Sequence, residues 1–125
     1  GELFESYFTN GVWEIQSDRF FTSPVPFWEL SKRLTDSLSK QTLVFIKGDA
    51  NYRRLINDAL WSLDTKFADV VEYFPSRVVA LRTLKSDSLV GMLDGTEERK
   101  RVVEELDRSD PEWRVNGKYG IIQLK

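Results

Sequence analysis

Two short runs hold the residues with the most chemistry to offer. Lys47-Gly48-Asp49-Ala50-Asn51-Tyr52-Arg53 sets a carboxylate and an amide between two cations, and Leu81-Arg82-Thr83-Leu84-Lys85 adds two further cations. A guanidinium presents a planar fork that matches phosphate oxygens, and a lysine adds a compact point charge. Brought side by side, the two runs would make a site for an anion. Taken one at a time, Lys47, Arg53 and Arg82 also read as ordinary surface cations and Asp49 as a helix cap.

The elements that must position these runs are legible just before them. Thr42-Leu43-Val44-Phe45-Ile46 precedes the first and Val78-Val79-Ala80 the second. Such continuous apolar stretches are what strands buried on both faces of a parallel sheet look like. Ligands of open α/β sheets bind beyond the carboxyl ends of the strands, where both polar runs would then lie. Gly48 frees the backbone to turn, and Asp49 is expected to cap a short helix running to Ile56, whose first-turn N–H groups attract phosphate.

Around this centre the pattern predicts an aromatic, irregular start to about Thr22, with a short strand or hairpin arm over residues 11–15. Phe27, Leu30, Leu34 and Leu38 recur at helical spacing, and Phe67, Val70, Val71 and Phe74 mark a second helix over residues 66–73, ended by Pro75. Gly91 and Asp94-Gly95 mark a loop. Thr96 then caps a helix with Val102, Val103 and Leu106 facing inward and Glu97 paired with Arg101. The acidic residues flanking Arg99-Lys100-Arg101 make that cluster a solvated helix face rather than a nucleic-acid patch. Trp113 is expected to anchor the tail, and residues 119–124 to form a last edge strand.

FIKGDANYRRL followed by LRTLKSD resembles the metal-dependent damage-control phosphatases, in the subfamily with KGDxNYR and RTxK motifs. The likeness extends to Phe20-Phe21-Thr22-Ser23-Pro24, Pro26-Phe27-Trp28, Asp58, Trp61, Phe74-Pro75, Asp110-Pro111-Glu112-Trp113 and Gly117-Lys118-Tyr119-Gly120-Ile121, in order along essentially the whole chain. It implies an α/β fold, the C-terminal part of a three-layer Rossmann-like sheet with helices on both faces. It also implies hydrolysis of phosphosugars such as fructose phosphates, in the cytoplasm and also the nucleus. Asp49, Asn51, Tyr52 and Arg53, with Ala50 through its backbone, would line the phosphosugar pocket. Lys85 of the Arg82-Thr83-Leu84-Lys85 motif would contact the phosphate. A divalent metal (manganese, nickel, cobalt or magnesium) belongs to the family, held by an Asp-Asn pair and a further Asp upstream of the region matched. This chain has no Asp-Asn dipeptide, and Asp18, Asp36, Asp64, Asp69 and Asp87 lack the surroundings those ligands require. Residues 1–125 are therefore expected to be the C-terminal segment of one larger phosphatase domain, with no catalytic or metal residue of its own and the missing N-terminal portion as its partner.

Composition removes other chemistries. With no Cys and no His, thiolate catalysis, the usual zinc sites and Ser-His triads are excluded within the chain, and a helpful ion would need oxygen ligands. A net charge of −2 gives no electrostatic footprint for nucleic acid. No apolar run approaches the roughly 20 residues that span a bilayer, and the start is no signal peptide. Two other classes stay open. One is a protein-glutamate carboxyl methyltransferase using S-adenosylmethionine, the family's second attributed activity, which this chain supports little because it lacks a glycine-rich dinucleotide-type turn. The other is an inert interaction module.

Overall fold

The computed structural model describes residues 1–93 and 96–125. Its frame is a three-stranded open sheet: β1 (Val44–Lys47), β2 (Val78–Thr83) and β3 (Gly120–Leu124), in that spatial order. β1 and β2 run parallel, with Val44 opposite Val78 and Lys47 opposite Leu81, while β3 returns antiparallel along β2. The three expected strands are thus present, with the last at an edge.

Helix α3 (Asp49–Leu55) leaves β1 through Gly48, whose φ of 102° turns the chain from strand to helix in one residue. The expected cap is corrected here. Gly48 is the N-cap, and Asp49 is the first helical residue with its carboxylate committed elsewhere. Tyr73 Oη donates to Leu55 O at 2.7 Å and Trp61 Nε1 to Ile56 O at 2.8 Å, so side chains occupy carbonyls at the helix end. Arg54 draws the 20–25 segment onto α3 by donating to Val25 O (2.8 Å), Phe20 O (2.7 Å) and Phe21 O (3.2 Å), with its guanidinium over the Phe20 and Phe27 rings.

Other elements depart from the pattern. Residues expected to be irregular form α1 (Glu2–Thr9), and residues 11–15 form no strand. The stripe beginning at Phe27 is not one helix. A 3-10 turn (Phe27–Glu29) ends at Leu30, and Ser31, its Oγ accepting from Leu34 N, starts α2 (Lys32–Leu38). α4 is a single turn (Phe67–Val70), because Val71 leaves helical geometry with ψ 21°. α5 (Glu97–Ser109) is capped by Thr96 as expected, but Lys100 rather than Arg101 pairs with Glu97, at 2.8 Å. Val103 is buried while Val102 is half exposed, since adjacent helical positions lie about 100° apart. The Asp94-Gly95 part of the expected loop lies outside the described residues.

The strands are not buried on both faces. Val44, Ile46, Val78, Ala80, Arg82, Ile121 and Gln123 share the face that packs on α3 and α4. There Phe27, Tyr52, Leu55, Ile56, Phe67, Val71 and Phe74 complete the main core. A second cluster gathers Leu84, Leu89, Val103 and Trp113, and Ile121 packs against both clusters. Trp113 is fully buried, with Nε1 donating to Asp107 at 2.8 Å, and so anchors the tail as expected. On the opposite face Phe45, Val79 and Leu124 form one cross-strand row and Lys47, Leu81 and Ile122 the next. Phe45 is 62% exposed, Ile122 78% and Leu124 64%. The expected second layer of helices is not seen among the described residues.

Candidate functional site

Parallel pairing of β1 and β2 sets the start of α3 beside the end of β2, which brings the two polar runs together. Gly48 N donates to Leu81 O at 2.9 Å, locking the β1–α3 turn against β2. Beyond it, Arg82 is not a surface cation. It lies within β2 with the same parity as Val78 and Ala80, which turns it inward, and its side chain is 0% exposed.

Each arm of that guanidinium has a partner. Nε donates to Asp49 Oδ1 at 2.8 Å, Nη1 to Ser88 O, and Nη2 to Ser86 O at 2.8 Å and Ser86 Oγ at 2.6 Å. Its plane lies over the Tyr52 ring, 4.5 Å from the centroid. The buried charge is thus paired and hydrogen-bonded, as a charge in such a place must be.

The chain of contacts continues outward. Ser88 Oγ donates to Asp58 Oδ1 at 2.8 Å, and Asp58 receives Arg53 Nε and Nη2 at 2.6 Å each. Asn57 and Asp58 both adopt left-handed backbone, φ 62° and 49°, which aims the Asp58 carboxylate back at Arg53. The bidentate bond from Arg53 holds the Asp58 carboxyl below its usual range, helped by Ser88, and Asp58 in turn raises Arg53.

The expected pocket residues take different positions. Asp49 and Arg53 lie at the two ends of this chain of contacts, each engaged within the chain. Ala50 is exposed on the first turn of α3. Asn51 Nδ2 donates to Lys47 O at 3.2 Å, bracing the turn. Tyr52 is wholly buried, its ring stacked on Phe67 and its hydroxyl donating to Gln123 Oε1 at 2.7 Å; burial pushes its pKa up to about 12. It supports the Arg82 guanidinium from beneath. Lys85 is exposed just past β2, its stem passing Gly117, and it has no ion-pair partner among the described residues.

Three participants were not anticipated: Ser86, Ser88, and Arg82 as a buried hub. The available signal was the two-residue period of β2, which puts Arg82 on the core side of Val78 and Ala80. Asp49, Asn51 and Arg53 are thus gathered on α3 beside the end of β2, each with a partner within the chain, while Lys85 stands exposed just past that strand. They do not fit a divalent ion by themselves. Among the described residues no three carboxylates gather, and Asp49 and Asp58 are each taken by an arginine.

Comparison with known proteins places the chain among relatives. The family model described as "Damage-control phosphatase ARMT1-like domain" matches residues 2–101. The chain is similar to Damage-control phosphatase ARMT1 of Mus musculus, 34% identical over 99% of this chain and 28% of that protein. It is similar to the proteins of the same name from Danio rerio, 32% identical over 99% of the chain and 27% of the relative, and Homo sapiens, 33% over 98% and 27%. The chain therefore spans little more than a quarter of the length of these relatives.

Proposed function

This chain belongs to the ARMT1-like damage-control phosphatase family, and on that premise we propose that the complete protein hydrolyses phosphomonoesters of sugars such as fructose phosphates. This segment supplies the cradle for phosphate and sugar. Lys85 and Arg53 neutralise the phosphoryl oxygens as the P–O ester bond breaks and water adds to phosphorus. Asp49 and Asn51 accept from or donate to sugar hydroxyls, the Ala50 backbone lines the turn, and Tyr52 fixes the turn from beneath.

The observation that carries the reading is Lys85, an exposed lysine without an ion-pair partner among the described residues, just beyond a strand that is locked to the β1–α3 turn. A cation left unpaired there is free to meet a phosphate. Placed donors of this kind contribute several kcal/mol to a transition state in which charge develops. Manganese, nickel, cobalt or magnesium would be held by carboxylates elsewhere in the protein, because the residues present here do not fit one.

The same proposal makes the rest of the protein the occupant of the open sheet face, since a parallel pair is normally covered on both sides. It sets the enzyme in the cytoplasm, and also the nucleus, where charged sugar phosphates are retained. The test is phosphate release from fructose phosphates by the full-length protein with added manganese, beside methyl transfer from S-adenosylmethionine. Phosphate release that Lys85→Ala removes supports the reading. Methyl transfer without phosphate release replaces it by a carboxyl methyltransferase.

A further inference from the structure

Two separate pieces of chain, the β1–α3 turn and the 86–88 segment, are joined by one side chain. Arg82 reaches Asp49 on the first with Nε and Ser86 and Ser88 on the second with its two terminal nitrogens. Ser88 passes the connection to Asp58 and so to Arg53. We propose that Arg82 is the positioning residue of the site: through Asp49 on one side and Ser88–Asp58–Arg53 on the other, its buried guanidinium sets the orientation of Asp49 and Arg53, two of the groups that face the sugar phosphate. This rests on the phosphatase reading given above.

The geometry favours this over a purely structural role. An arginine kept only for stability has no need to hold the Asp49 carboxylate, and apolar residues of similar volume do as well in a core. Here every donor goes to these two segments. Arg82 does not touch the substrate in this arrangement, its side chain being 0% exposed. Lysine cannot reproduce the arrangement, because a single ammonium cannot span both segments with fixed in-plane bonds.

The test uses the full-length enzyme. Arg82→Lys is expected to lower kcat/KM for a fructose phosphate by tenfold or more while the protein still melts cooperatively. Asp49→Asn added to Arg82→Lys should cost little beyond the worse single variant, because both act through one geometry. Tyr73→Phe, which removes the bond to Leu55 O at the far end of α3, serves as the control and should lower the melting temperature without changing kcat/KM. Losses that multiply in the double variant, or wild-type kinetics in a folded Arg82→Lys enzyme, overturn the proposal. If the wild-type protein releases no phosphate, the phosphatase reading fails instead. Crystal structures of the wild type and Arg82→Lys then decide the positioning role: a moved Asp49 carboxylate and 86–88 segment support it, and unmoved ones overturn it.

Discussion

Lys85 and Arg53 are the two cations proposed to meet the phosphate, yet the structure treats them differently, and their replacement should separate binding from folding. Lys85 is exposed and without an ion-pair partner among the described residues, so Lys85→Ala is expected to leave the melting temperature unchanged. It should cut phosphosugar turnover of the full-length enzyme by at least ~100-fold, about 2.7 kcal/mol of transition-state stabilisation. Arg53 is tied to Asp58, whose carboxyl lies below its ordinary 3.8 because of that bond. A lowered folded-state pKa contributes stability that is fully present above the unfolded value and is lost as pH falls through the folded one. The wild type should therefore lose this contribution below about pH 4, and Asp58→Asn should flatten that acid limb in a series of melts. An unchanged limb would show that the pair adds nothing to folding. At this scale the run showed that Asp49 and Arg53 sit on a short helix just after β1. Arg53's engagement was not legible, since it depends on left-handed backbone at Asn57 and Asp58, which neither residue type demands.

At the scale of elements, what was readable was what local pattern decides. β1, β2, β3, the Gly48 turn and the Thr96 cap each follow from a run of apolar residues, a glycine or a hydroxyl at the right place. The misreadings came where periodicity was ambiguous. Phe27 to Leu38 carries a helical repeat across a break that Leu30 and Ser31 impose, and the aromatic residues of α1 masked its helical start. Distant packing also fixes one loop beside the main core. Gly91 has φ +70°, and a Cβ there would lie 2.9 Å from Gln123 Nε2 and 3.2 Å from the Phe67 backbone nitrogen. Gln123 in turn donates to Val90 O at 2.6 Å and accepts from Tyr52. Gly91→Ala combines backbone strain with this crowding and is expected to destabilise the protein by about 1–3 kcal/mol, read as a lowered denaturation midpoint with an unchanged slope.

The whole molecule presents an apolar face that water does not favour. Phe45, Ile122 and Leu124 stand exposed across the sheet, and Leu3, Phe4, Val12 and Ile15 do so around α1. Residues 1–125 made alone are expected to self-associate on a sizing column and to bind a hydrophobic dye, because re-exposed apolar area costs roughly 25 cal/mol per Å² against a total stability of about 5–15 kcal/mol. A monomer with a sharp, cooperative melt would show that this segment stands unaided and would revive the inert-module reading. No helix among the described residues is long and apolar enough to cross a membrane, so these exposed side chains do not form a spanning helix. Sheet topology was legible only in part for the same reason that the open face was not: strand runs announce burial, but which face is covered depends on what packs against the sheet, which the runs do not encode.

The bond between Tyr52 and Gln123 closes a separation of 71 residues. Its consequence is one of timing. A ribosome adds about 5–20 residues per second, so several seconds pass between synthesis of the KGDANYR run and synthesis of the glutamine that pins the ring beneath it. During that interval Arg82 can already meet Asp49, but the tyrosine under its guanidinium is not yet tethered to β3. The ring beneath Arg82 is thus tethered only once β3 has been made, and a slow stretch of messenger between the two codons would prolong the period in which it stands unpinned.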